Sequence, residues 1–196
     1  MKPKDLVIEI TDPLTTDRLL LRPFRETDAA AVHAYQSLPE VARYQFWEPR
    51  SLEEIRLKLA EWVTLYRLNG EGTLELAVEI RESGDLIGDV MLQVTDAAAR
   101  QGMIGFSMHP AHQGKGYATE AVGALLRIGF ADLGLHRIFG RCDARNDPSW
   151  RLMERLGMRR EAHFREHALF KGGWDEEFYY ALLQDEWRHQ AVAQEK

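Results

Sequence analysis

The segment 104–119 combines a strand-like stretch that ends near Pro110 with a Gly114-Lys115-Gly116 turn and a helix-like stretch from Tyr117. Backbone N–H groups at a helix start have no intrahelical partner and lie at the positive end of the helix dipole, so they can bind a pyrophosphate. Glycine at positions 114 and 116 leaves the backbone open to such a ligand. The segment therefore predicts a phosphate-binding loop.

The spacing within this loop excludes two common nucleotide motifs. A Walker loop requires G-x-x-x-x-G-K-[ST], but Lys115 is followed by Gly116. A dinucleotide fingerprint requires a glycine directly after the strand and a third glycine or alanine, whereas residues 109–113 intervene and Thr119 holds the third place. What remains is the pattern Gln113-x-x-Gly116-x-Ala118.

This pattern resembles the acyl-CoA pyrophosphate loop of the GNAT N-acetyltransferases. Other stretches resemble the ribosomal-protein-alanine N-acetyltransferase branch of that superfamily, in chain order 16–23 (TDRLLLRP), 84–88 (GDLIG), 146–149 (NDPS) and 157–158 (GM). The resemblance runs from about Leu14 to about Trp187. It implies transfer of an acetyl group from acetyl-CoA to a primary amine, with a protein or peptide N-terminal α-amine as the preferred acceptor.

The resemblance also implies roles for individual residues. The backbone near Met108 would polarise the thioester carbonyl, and the hydroxyl of Ser149 would protonate the departing thiolate, because Met153 stands where many members carry a tyrosine acid. The expected acyl-CoA contacts come from the end of the central strand, the loop and the next helix start: Phe106, Ser107, Met108, Gln113, Gly114, Lys115, Gly116, Tyr117, Ala118, Thr119, Asn146 and Ser149.

The mechanism that the resemblance implies is direct attack of the neutral amine, with no covalent intermediate. An α-amine with a pKa near 7.8 needs a weaker base than a lysine amine near 10.4. Asp89 and Glu79 are the preferred base candidates, ahead of Glu166, although each could be an ordinary strand residue. Asn146 could equally be a turn former and Ser149 an early-helix residue.

Other residues permit more than one interpretation. The segment 44–47 (YQFW), Phe164 and Trp174 could line an acceptor pocket or only pack. A metal site at His109-x-x-His112 is rejected, because no further ligand cluster accompanies it, and we expect no metal. Cys142 is expected to be a packed core residue rather than a nucleophile.

The composition favours a single acidic enzyme domain that spans residues 1–196. A net charge of −6 argues against a nucleic-acid partner, and the polyanionic donor must then rely on local positive groups such as Lys115, Arg145 or Arg151. A lone cysteine excludes an internal disulfide and favours the cytoplasm. Met1 to Asp12 show no leader pattern, and no apolar run is long enough to enter a membrane.

Periodicity predicts an α/β fold, and the resemblance implies the GNAT form of it, in which two parallel central strands of a mixed sheet splay apart to admit acyl-CoA between helices on both faces. We expect those strands at 103–108 and 137–143, separated by a helix at 117–133 that Gly134 ends. Further expectations are strands at 18–24, 74–80, 86–94, 159–169 and 177–183, and helices at 28–38, from Ser51 to Asn69-Gly70, and from an Asp147 N-cap with Pro148 at N1 to Gly157.

Three alternatives remain open at this point. The enzyme could acylate a small amine such as a polyamine, an antibiotic or an amino acid, or it could use succinyl-CoA. The absence of the tyrosine acid also keeps a non-catalytic CoA-binding module possible. Exposed edge strands and the segment after Leu182 make a homodimer reasonable.

Overall fold

The computed structural model of the chain describes residues 5–194 and has the mixed sheet that the sequence predicts. Eight strands form that sheet in the order β2-β3-β5-β6-β7-β8-β10-β9, and β1 pairs with β4 in a separate ribbon. The strands are β1 (Val7–Glu9), β2 (Leu14–Thr15), β3 (Leu19–Arg22), β4 (Arg67–Asn69), β5 (Gly72–Ile80), β6 (Leu86–Asp96), β7 (Gln101–Met108), β8 (Arg137–Asp143), β9 (Arg159–Phe170) and β10 (Gly173–Leu183).

The helices pack on both faces of the sheet, where two clusters of buried apolar side chains hold them. One cluster joins α1 and α3 to β5, and the larger one joins α4 and α5 to the opposite face. The helices are α1 (Ala29–Gln36), α2 (Pro39–Ala42), α3 (Leu52–Trp62), α4 (Tyr117–Arg127, continued by a π-helical turn Ile128–Asp132), α5 (Asp147–Arg155) and α6 (Gln184–Gln194).

The two central parallel strands separate along their length. The register of β7 and β8 pairs Gln101 with Arg137 and ends at Met103 with Phe139, although β7 continues to Met108 and β8 to Asp143. Both strands keep their antiparallel neighbours beyond that point. The expected splay between them is therefore present, and it opens a gap at the carboxyl ends of both strands.

The predicted end of the third helix is wrong. α3 begins at the Ser51 capping box as expected but stops at Trp62, and the next residues form a turn and then β4. Leu68 falls within the predicted helix, but in the structure it is buried in the larger cluster and lies in β4, which pairs with β1. Burial and strand pairing override the helical propensity of 63–69.

The start of α5 also differs by one position from the prediction. The Asn146 carbonyl accepts from the Ser149 N–H at 3.0 Å and from the Trp150 N–H at 3.3 Å, so Asn146 and not Asp147 is the N-cap. Pro148 then occupies the second helical position, where its missing N–H is also tolerated. Gly157, with a φ of +75°, follows the helix end as predicted.

Candidate active site

A cleft of about 630 Å³ follows the gap between β7 and β8. Its first wall, the donor half, consists of the loop 113–119, the ends of β7 around 106–108 and the start of α5 at 146–149. Its second wall, the acceptor half, consists of 40–46 after α1, the side chains at the end of β8 and those at the start of β10. The two walls bring together elements that are far apart in the sequence.

The loop has the backbone geometry of an anion cradle. Gly114 and Gly116 have φ values of +72° and +83°, in the left-handed region, and Gly116 is the N-cap of α4. A Cβ at Gly116 would lie 3.3 Å from Nη2 of Arg18, so a side chain there would be strained and crowded. The two glycines and the first three residues of α4 line the cleft, so the unpartnered N–H groups of this helix start are available to a pyrophosphate there.

The strand end beside the loop offers backbone groups to a ligand. The bond from the His109 N–H to the Ile87 carbonyl fixes the phase of the ladder to β6, so the N–H groups of Phe106 and Met108 point into the gap. The backbone N–H of Ser107 points the other way, towards β6, so Ser107 reaches the cleft only through its side chain. The Gln113 amide donates to the Met108 carbonyl at 3.1 Å, which ties the loop to the strand end.

The α5 start lies across the gap from that strand end. Asn146 and Ser149 both line the cleft, and Ser149 is only 8% exposed. Its side chain interacts with Cys142, whose pKa burial raises to about 12. A thiol with that pKa stays protonated, in keeping with the core role expected of Cys142.

Met153 occupies the position at which the family resemblance implies a tyrosine acid. It is 1% exposed and lines the cleft. Its sulfur is so close to Gly140 that a Cβ on that residue would lie only 2.7 Å from it. A thioether has no proton to donate. Ser149 is the hydroxyl nearest in sequence to this position that lines the cleft.

A buried carboxylate lies behind the cleft on β6. Asp89 accepts hydrogen bonds from Tyr35 Oη at 2.5 Å and Gln36 Nε2 at 3.2 Å, and a further one from the Ser107 side chain. Burial raises its pKa to about 6, against the opposing effect of these hydrogen bonds and of Arg50. Asp89 does not itself line the cleft, but Ser107 does, so the hydroxyl connects the two.

The other proposed bases are not brought to the cleft. Glu79 binds Nε of Arg22 at 2.7 Å, and the same buried guanidinium is held by Asp28 at 2.8 Å. Glu166 is exposed on the edge strand β9 with a φ of +48°. Neither contributes to the cleft lining, and Glu79 has a structural partner that accounts for its charge.

The acceptor half contains carboxylates that the sequence analysis missed. Asp143, Asp175 and Glu177 all line the cleft and are 6%, 6% and 4% exposed. Asp143 is bound by Arg145 at 2.6 Å, whereas Oε2 of Glu177 is buried with no hydrogen-bond partner among the described residues. Asp175 and Glu177 belong to a run of three consecutive acidic residues, 175–177, so the sequence alone does not single them out.

His167 on β9 lies between two of these carboxylates. Its Nδ1 is 3.2 Å from Asp175 and its Nε2 is 3.4 Å from Glu177. Arg141 approaches the same Glu177 oxygen at 3.5 Å. Within residues 5–190 this trio is the one group whose ligand atoms lie close enough for a metal, and its geometry is equally that of an imidazole between two carboxylates. Of the histidine pair rejected above, His109 accepts from the Ala111 N–H at 3.1 Å.

The remaining predicted residues are divided between the cleft and the outside. Tyr44, Gln45 and Phe46 line the cleft, but Trp47 and Phe164 do not, and Trp174 lies in an adjoining groove. Of the predicted cationic groups, Arg145 lines the cleft, Lys115 contributes to neither cavity, and Arg151 pairs with Asp147 at 3.2 Å.

Such a cleft can hold a pyrophosphate-bearing thioester along one wall and an amine against the other, which is the arrangement of an acyl-CoA acyltransferase. A family profile described as the acetyltransferase (GNAT) domain matches residues 18–159. Uncharacterized N-acetyltransferase YnaD of Bacillus subtilis is 34% identical over 174 residues, which cover 89% of this chain and 98% of the relative. A GNAT-family acetyltransferase crystal structure from Bacillus anthracis superposes with a TM-score of 0.80 at 31% identity, covering 89% of this chain and 100% of that one.

Two further relatives carry names that refer to an acceptor. The spermidine N(1)-acetyltransferase of Escherichia coli K12 is 27% identical over 176 residues, covering 90% of this chain and 89% of the relative. The "Putative ribosomal N-acetyltransferase YdaF" of Bacillus subtilis is 27% identical over 172 residues, covering 86% and 91%.

The chain therefore belongs to the GNAT acetyltransferase family, as the sequence resemblance indicated. It is an N-acetyltransferase that uses acetyl-CoA as acyl donor, and its α/β fold is the expected GNAT fold. Among the described residues, no helix combines the length and the apolar character needed to cross a membrane.

Proposed function

We propose that the enzyme acetylates the N-terminal α-amine of a protein or peptide by direct attack of the amine on the donor thioester. The observation that carries this proposal is the Ser107 hydroxyl, which lines the cleft and hydrogen-bonds the buried carboxylate of Asp89. This pair would supply a proton path from the cleft to a base that is shielded from solvent.

The basicity of Asp89 suits an α-amine better than an alkyl amine. With its pKa raised to about 6 by burial, Asp89 accepts a proton from an α-amine of pKa near 7.8 at a cost of about 2.4 kcal/mol. The same transfer from a lysine-type amine near 10.4 costs about 6 kcal/mol. Asp89 is therefore the proposed base, and Glu79, which is bound to Arg22, is set aside.

Residues on the donor half would supply the other steps. The Met108 N–H, which points into the gap, is placed to donate to the developing oxyanion. Phe106, the loop residues from Gln113 to Thr119 and Asn146 would hold the donor, while the Ser149 hydroxyl donates a proton to the departing sulfur. Lys115, outside the cleft lining, would act through its charge alone.

A second acceptor class is favoured by the carboxylates of the acceptor half. The Glu177 carboxylate, whose Oε2 makes no hydrogen bond within the described part of the chain although Arg141 and His167 lie near it, could with Asp175 receive a second positive group of a small polyamine. One relative is named a spermidine N(1)-acetyltransferase, which makes this class the direct competitor.

We also propose a cytoplasmic homodimer. The single cysteine, which cannot form an internal disulfide, fits a reducing compartment. β9 is a mostly exposed edge strand of the sheet and offers a surface for a second copy.

The test is thiol release from acetyl-CoA against three acceptors: peptides with free N-termini, the same peptides with blocked N-termini but an internal lysine, and small amines including spermidine. Mass spectrometry of the products locates the acetyl group. Turnover only with free N-termini supports the proposal. Turnover only with spermidine or another small amine keeps the mechanism and replaces the acceptor, and no turnover with acetyl-CoA or succinyl-CoA contradicts both.

A further inference from the structure

The sequence stretch Thr16-Asp17-Arg18, which precedes β3, has no role in the chemistry described above. In the structure it crosses the sheet to α4, and its contacts converge on Glu120, at the fourth position of that helix. The hydroxyl of Thr16 donates to Oε1 of Glu120 at 2.6 Å, and the Arg18 backbone N–H donates to the same oxygen at 2.8 Å. The N-terminal segment is thereby attached to the first turn of α4.

The Arg18 side chain continues from Glu120 to the phosphate loop. Its Nε donates to Oε2 of Glu120 at 2.7 Å, and its Nη1 donates to the Lys115 carbonyl at 2.9 Å. The guanidinium also lies over the Tyr117 ring, 4.6 Å from its centre, and Nη2 is the atom that a Cβ at Gly116 would approach at 3.3 Å. One side chain therefore contacts three consecutive residues of the loop and the helix start.

The charge at Glu120 makes these contacts significant for anion binding. Burial tends to raise its pKa, but hydrogen bonds from Thr16 and Arg18 lower it below the ordinary value, so the carboxylate is ionised at neutral pH. A negative charge in the first turn of α4 opposes a pyrophosphate at the same helix end. The paired guanidinium offsets that charge and also occupies the carbonyl of Lys115 through its hydrogen bond.

We propose that Arg18 is a positioning residue for the acyl donor, which fixes the loop from Lys115 to Tyr117 and neutralises Glu120 so that the helix end can accept the pyrophosphate. The proposal rests on the assignment of the loop 113–119 to the donor pyrophosphate. It extends that assignment to a residue nearly 100 positions earlier in the chain.

The test is the calorimetric dissociation constant of CoA for the wild type, Arg18→Ala and Arg18→Lys. We expect binding to weaken by about tenfold or more in Arg18→Ala, because two charge-assisted hydrogen bonds are lost and Glu120 loses its positively charged partner. Arg18→Lys should retain part of the affinity. Adding Glu120→Gln to Arg18→Ala should recover affinity, since it removes the repelling charge.

The second readout separates positioning from general damage to the fold. The KM for acetyl-CoA should rise in Arg18→Ala, while that for S-acetylpantetheine, which lacks the pyrophosphate, should not change. Arg81→Ala is the matched control, because Arg81 binds the carbonyls of Thr16 and Asp17 in the same turn at 2.8 and 3.0 Å but contacts no loop residue.

Two results would overturn the inference while the enzyme assignment stands: CoA affinity within twofold of wild type in Arg18→Ala, or equal weakening for acetyl-CoA and S-acetylpantetheine. Wild-type CoA binding by Gly116→Glu would instead overturn the loop assignment itself, and the role of Arg18 with it.

Discussion

The donor half and the acceptor half of the cleft are built in different ways. The donor half relies mainly on backbone groups of the segment 106–119, where the absence of side chains at Gly114 and Gly116 keeps the backbone open to a ligand. The acceptor half relies on side chains from the region after α1 and from β8 and β10, and the buried Asp89 of β6 lies behind the cleft with partners of its own. In the proposed function the first half holds the acyl donor, and the second selects the amine.

The largest expected effect tests the donor half alone. Gly116→Glu should abolish CoA binding, raising the dissociation constant by roughly 100-fold or more, because it places a carboxylate among the phosphates at a helix end. The comparison is with Gly84→Glu, which has a similar φ of +76° in the β5–β6 turn, outside the cleft lining. If the two variants bind CoA equally well, the donor half is elsewhere.

The next effect concerns the acceptor half. Asp89→Asn should lower kcat/KM for the amine by about 10²–10³, the usual contribution of a general base, with no change in CoA affinity. The wild-type rate should rise with pH through about 6, and this limb should disappear in the variant. Glu79→Gln should lower stability through the loss of a partner of Arg22 and leave the pH profile unchanged. A normal rate in Asp89→Asn would remove Asp89 as the base.

Asp89→Asn should also change how the stability of the protein depends on pH. The folded protein holds the Asp89 proton up to about pH 6, whereas the unfolded chain releases it near 3.9, so the wild-type free energy of unfolding falls as pH rises through that window. Chemical denaturation between pH 4 and 8 should show that this decrease in the free energy of unfolding is absent in Asp89→Asn. A variant much less stable than wild type at pH 8 would mean that the carboxylate supports the fold.

A smaller loss of activity is expected from a change at the start of α5, in the donor half. Ser149→Ala should reduce kcat by about tenfold with little change in KM, because a thiolate needs only modest help to leave. Steady-state kinetics at saturating acetyl-CoA measure this directly. Complete loss of turnover would contradict this modest role for Ser149.

The smallest effect distinguishes the acceptor classes. Glu177→Gln should leave turnover of a neutral N-terminal peptide within about twofold but lower that of spermidine by severalfold, since of the two acceptors only the polyamine would place a second positive group beside this carboxylate, which Arg141 already approaches. Equal losses for both acceptors would show that Glu177 supports the cleft rather than selecting the amine.

The contrast between the halves also explains what the sequence could predict. The loop, the strands at 103–108 and 137–143, and the helix after Gly116 follow from local glycine placement and periodicity, whereas the splay between the two strands is expected only from the family resemblance; the structure has all of them. Asp175 and Glu177 reach the cleft only because β10 pairs with β8, a long-range contact that no local pattern encodes. Glu79 and Asp89 lie on adjacent strands of one hairpin, and only tertiary contacts show that Arg22 binds the first while Ser107 connects the second to the cleft.

Direct transfer requires both halves of the cleft to be occupied at once, and the initial-rate pattern tests this most directly. Rates measured over a matrix of acetyl-CoA and free-N-terminus peptide concentrations should give intersecting double-reciprocal lines, with no acetylated enzyme detectable by mass spectrometry before the peptide is added. Parallel lines together with an acetyl group on the enzyme, at Ser149 or Cys142, would contradict direct transfer within one cleft.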